Sequence, residues 1–91
     1  PSLAQLIKIH ENHPEYTIHL IGHSDLTGSV RMCNEVGMAR AENVRAYLIK
    51  KGIAANDILI HTAGKEFPIY EEELTELQAA KNRRVDVVFL K

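Results

Sequence analysis

The chain has a single cysteine, Cys33, so no internal disulfide can form and packing and hydrogen bonds must hold the fold. That scarcity does not decide the redox compartment, because many exported domains carry no disulfide. An excess of either charge is also lacking. Eleven Lys and Arg face 12 Asp and Glu, a formal net charge of −1. With no basic stripe either, the chain is expected to have no nucleic-acid partner. No apolar run reaches the ~18 residues that a spanning helix requires, so membrane insertion by these residues is not expected. Internal repeats and low-complexity tracts are absent. What remains is ordinary: 91 residues, 45% hydrophobic and 25% charged, enough for one domain with one modest core. The chain opens abruptly at Pro1, so it is expected to be a fragment of something longer, with any anchor or targeting segment left off.

Periodicity orders the chain as α-β-α-β-α-β. Leu3, Leu6, Ile7 and His10 recur at helical spacing, predicting a helix over 2–12, with Ser2 and Gln5 at capping-box spacing and Pro14 closing it. Residues 16–22 read as a strand buried on both faces, because Ile18, Leu20 and Ile21 make a nearly continuous apolar run. A polar turn, 23–29, follows. The second helix is expected over 37–51, burying Ala41, Val44 and Leu48. Lys50 and Lys51 suit its negative end, and Gly52 is placed as the left-handed residue after the cap, with Ile53 folding back toward Leu48. A strand over 58–62 comes next, then a loop packed down by Phe67-Pro68-Ile69. A short helix over 72–82 should bury Leu74, Leu77 and Ala80, with the Glu71 to Glu73 run as its solvated start. A last strand spans 85–90, with Val85, Val87 and Phe89 on one face. The alternation implies a layered α/β domain on a small sheet with two exposed edges.

The stretch from Ile18 to Val44 carries the chemistry. A strand ends in a turn holding Asp25, and Arg40 lies near the start of the predicted helix, so an acid and a base flank one strand-to-helix loop. Ligands of open α/β sheets bind beyond the carboxyl ends of the strands. Such a pair suits a small zwitterion, with the carboxylate taking an ammonium and the guanidinium gripping a carboxylate in two prongs. The plain alternative is a structural ion pair or loop cap. His19 and His23 share one strand face too far apart for a common metal, and with His10, His13 and His61 they form no tight ligand set. Cys33 reads as a packed thiol.

Taken in order, several motifs resemble a known family. They are Gly22-His23-Ser24-Asp25 with Thr27 and Gly28, Val36-Gly37, Arg40-Ala41 with Val44, Tyr47-Leu48, Gly52-Ile53, Gly64 with Glu66 and Pro68, and Asn82-Arg83-Arg84-Val85. Together they resemble the OmpA-like peptidoglycan-binding domain, over nearly the whole chain. The resemblance implies a two-layer α/β sandwich with helices on one side of a small mixed sheet, the family's first strand being absent here. It implies noncovalent binding of peptidoglycan through the meso-diaminopimelate of the stem peptide, tethering an outer-membrane protein or assembly to the cell wall at the periplasmic face of the outer membrane. Asp25 would bind the ammonium and Arg40 the carboxylate. Val36 would add contacts at the rim, and Ser24, Thr27 and Gly28 would shape the loop, with Asn82, Arg83 and Arg84 in support. No cofactor, metal or catalytic residue is implied, and a homodimer is left open. Met32-Cys33 departs from the family's Tyr-Asn. The competing class is a cell-wall peptide hydrolase using Asp25 as a base, which would need a second titrating group beside it.

Overall fold

The structure is a computed structural model and describes residues 2–91. Its elements are α1 (Leu3–Asn12), β1 (Thr17–His23), α2 (Val30–Lys50), a 3-10 turn (Ala55–Asp57), β2 (Ile58–Gly64), α3 (Glu76–Asn82) and β3 (Val85–Leu90). The expected α/β order is present. The sheet runs β2-β1-β3, with β1 parallel to β2 and antiparallel to β3. Among the described residues, the outer edges of β2 and β3 are unpaired. This register brings three segments to one end of the sheet: the chain leaving β1, the chain leaving β2 at Gly64, and the chain entering β3 at Val85, opposite Gly22.

Helices cover only one face. Ile18 and Leu20 are fully buried and Ile58 nearly so, packed with Ala41, Leu48 and Ile53, while Val85, Val87 and Phe89 lean on the same cluster. Each fully buried aliphatic side chain contributes roughly 1.5–3 kcal/mol. The double-sided burial expected for β1 is therefore corrected. Burial alternates along the strand, and Thr17, His19 and Ile21 lie on the uncovered face.

Both caps of the first two helices act as their sequences suggest. Ser2 and Gln5 form the capping box of α1. At the end of α2, Ile53 N–H reaches Leu48 O at 3.1 Å and Gly52 N–H reaches Ile49 O at 3.0 Å, with Gly52 at φ 104°.

The start of α2 differs from expectation. It begins at Val30, because Ser29 accepts from Met32 N–H and caps a helix that runs straight through Gly37. Gly37 is a contact point: a Cβ on Gly22 would collide with the Gly37 carbonyl, and one on Gly37 with Gly22 and Thr62. Strand and helix thus approach backbone to backbone, and Arg40 lies well inside the helix, not near its start.

The third helix is also shorter than read. Thr75 and Gln78 make a capping box, so α3 starts at Glu76, and Leu74 and Leu77 are 78% and 66% exposed while Ala80 also faces solvent. Phe67 and Ile69 are exposed as well and pack nothing down. Polar bonds from Asn82 and Arg84 hold that loop instead, as described next.

Candidate functional site

The loop after β1 is built around Asp25. Thr27 N–H donates to Asp25 Oδ1 at 3.0 Å, an Asx turn that fixes the carboxylate, and Gly28 at φ 99° turns the chain into the Ser29 cap. Ser24 is buried; its N–H donates to Gly64 O at 2.9 Å and its hydroxyl to Asp25 O at 2.7 Å. Beneath the loop, the buried Cys33 thiol lies 3.2 Å from Thr27 O and 3.7 Å from Asp25 O. The thiol is packed, as expected, and also donates to the loop. Across the outside, Lys65 Nζ donates to Gly28 O at 2.6 Å.

Arg40 reaches the end of β1 from α2, its Nη1 donating to His23 O at 2.8 Å, two residues before Asp25. Among the described residues no carboxylate stands within ion-pair distance of it. Asp25 and Arg40 therefore do not pair with each other. The ion-pair partner of Asp25 is Arg83, whose Nη1 lies 3.2 Å from Oδ2, while its Nη2 contacts Glu76. Glu76 first, and Asp25 second, raise the guanidinium's pKa, so Arg83 holds its charge there. Val36 is 45% exposed on α2, one turn before Arg40 on the same helical face. A shallow hollow lined by Gln5, Lys8, Ile9 and Asn12 lies on α1 and shares no residue with this loop.

Asn82 organises the far side. Fully buried, it accepts from Tyr70 N–H at 2.9 Å and donates to Tyr70 O at 3.0 Å and Glu73 Oε2 at 2.8 Å, while Glu73 Oε1 accepts Leu26 N–H at 2.9 Å. Glu73 was read only as part of a solvated acidic run, and it is instead the strut between Asn82 and the Asp25 loop. Three consecutive glutamates carry no signal that singles it out. Asn82→Ala leaves the Tyr70 N–H and C=O without their buried partner, a loss of about 1–3 kcal/mol. Chemical denaturation should show it as a lowered midpoint with an unchanged slope.

Arg84 turns away from Asp25. Its guanidinium bonds Asp86 Oδ1 at 3.1 Å and Phe67 O at 2.9 Å, and its carbonyl accepts His23 N–H at 2.8 Å. His23 is buried between these groups. Its Nε2 lies 2.8 Å from Asp86 Oδ2 but out of line, so neither ring nitrogen has a hydrogen-bond partner among the described residues. Burial, and then the Arg84 charge, lower its pKa below 6.5 against the pull of Asp86. The unfolded chain then binds this proton more readily than the fold does. Stability is full above about pH 6.5 and falls as pH drops below it. Thermal unfolding of the wild type should show a declining Tm between about pH 7 and 5.5, and His23→Asn should flatten that slope.

The fold is an α/β sandwich with a loop of charged side chains at one sheet end. The OmpA family model matches residues 2–83, and the chain belongs to the OmpA family. It is 37% identical over 71 residues to outer membrane protein A of Bordetella avium, covering 78% of this chain and 36% of that protein. It is 30% identical over 90 residues to the peptidoglycan-associated lipoprotein of Legionella pneumophila, covering 98% and 50%. The chain thus spans half or less of the length of these relatives. Among solved structures, the peptidoglycan-associated lipoprotein of Burkholderia pseudomallei superposes with TM-score 0.87 at 31% identity, over 97% of this chain and 74% of that one.

Proposed function

We propose that this domain binds peptidoglycan noncovalently through the meso-diaminopimelate of its stem peptide, anchoring an outer-membrane protein or assembly to the wall from the periplasmic side. The observation that carries the reading is the state of Arg40. A guanidinium held on the Asp25 loop by one carbonyl, with no acidic partner, has donors left for a carboxylate, and the bidentate geometry is what guanidinium favours. Asp25, aimed by Thr27, offers the counter-charge for the adjoining ammonium. Arg83 holds Oδ2, so the ammonium takes the place of this guanidinium or shares the carboxylate with it. Glu76 keeps Arg83 nearby in either case.

Hydrolysis fits the site less well. A hydrolase would need a nucleophile or a second titrating group beside Asp25, and the neighbouring thiol is buried beneath the loop. The experiment is co-sedimentation with purified sacculi. Diaminopimelate-type walls should retain the protein and release no soluble fragments. Walls with lysine at that position lack the carboxylate that Arg40 would grip and should retain much less. Equal retention on both wall types would remove Arg40 from the reading, and fragment release would favour the hydrolase.

A further inference from the structure

The uncovered sheet face carries two imidazoles that the Asp25 loop does not use. His19 on β1 and His61 on β2 face each other there, with Nδ1 and Nε2 3.0 Å apart, ring planes within 6° and centroids 5.2 Å apart. Thr17 Oγ1 donates to Leu90 O at 3.0 Å and stands 3.2 Å from His19 Nε2. With its one proton committed to that carbonyl, the hydroxyl accepts from His19 Nε2–H. The His19 lone pair is therefore at Nδ1, directed at His61. A ligating imidazole is typically arranged in this way, with one nitrogen fixed by a hydrogen bond and the other presented.

We propose that His19 and His61 form a bidentate site for a divalent transition-metal ion, preferring Cu2+ over Ni2+ and Zn2+. The two nitrogens stand 3.0 Å apart, close enough for a small ring adjustment to let both reach one ion at the ~2.0–2.1 Å of a metal–imidazole bond. Cu2+ leads the affinity order of the divalent first-row ions at such nitrogen sites. The ion replaces the hydrogen shared between the rings. His61 carries its proton on Nδ1, His19 keeps its own on Nε2 toward Thr17, both bind as neutral imidazoles, and water completes the coordination. Because His61 is exposed, its ring can turn so that the two lone pairs meet at one point. The ligands stand on neighbouring strands, so the metal links β1 to β2 and stabilises the fold by mass action.

Isothermal titration of the whole chain with CuCl2 in a non-chelating buffer, paired with thermal unfolding, tests this. One Cu2+ should bind per chain, with a Tm that rises with its concentration, and NiCl2 and ZnCl2 should bind more weakly. His19→Gln and His61→Gln should each weaken Cu2+ at least about tenfold and abolish the Tm rise. The remaining imidazoles outside the core, His10 beside Asp57 and His13 beside Glu15, provide the control. The double variant His10→Gln/His13→Gln should bind like the wild type. Absence of saturable Cu2+ binding, full binding in either His19→Gln or His61→Gln, loss of binding in the control, or tighter Zn2+ than Cu2+ would overturn the assignment.

Discussion

Asp25→Asn and Arg40→Lys should each lose most of the protein's affinity for a soluble diaminopimelate stem peptide while unfolding at nearly the wild-type temperature. Asp25→Asn keeps an oxygen to accept the Thr27 N–H, so the loop survives, but the charge that would meet an ammonium is gone. Arg40→Lys keeps a cation that can still donate to His23 O, yet loses the planar fork that grips a carboxylate with two parallel bonds. Each variant removes one charge-assisted contact of about 1.5–3 kcal/mol, or roughly 10- to 150-fold in affinity for a single stem peptide. On whole sacculi the loss reads smaller, because a polymer offers many copies and rebinding masks weak sites. The decisive measurement is a titration with soluble stem peptide beside the sedimentation assay. Undiminished peptide affinity in either variant would end the clamp reading, since both charges are required by it.

Gly22→Ala has the largest expected effect on stability. The added methyl would meet the Gly37 carbonyl of α2, and a backbone group cannot rotate out of the way as a side-chain tip would. Overpacking in cores typically costs 1–3 kcal/mol, and a backbone collision belongs at or above the top of that range. At about 3 kcal/mol, a domain of this size loses roughly 12–24 °C in Tm. Gly52→Ala is the comparison. Nothing lies near its Cβ, and the only cost is holding a left-handed backbone, about 1–2 kcal/mol. Thermal unfolding should therefore rank Gly22→Ala well below Gly52→Ala. The reverse order would mean that α2 can shift away from β1 without loss.

Much of this arrangement was legible from residues alone. The order of elements, the Ser2–Gln5 capping box, the glycine stop of α2 and the inward face of β3 all rest on local rules that a few neighbouring residues satisfy. That the turn holding Asp25 leads into the helix carrying Arg40 was also readable, because the two are adjacent in sequence. Less legible was anything that required a distant partner. Gly37 looks like a helix start until Gly22 is seen beneath it. Leu74 and Leu77 look like core residues until the helix is found to begin at Glu76.

Local chemistry in the chain settled which segments become helix and strand and where they stop, because periodicity and caps act over a few residues. Only the folded sheet decided that Arg83 rather than Arg40 holds Asp25, that Glu73 braces Asn82, and that His19 meets His61. Those contacts join residues dozens of positions apart, and strand register and helix docking, not sequence spacing, set the distances between them.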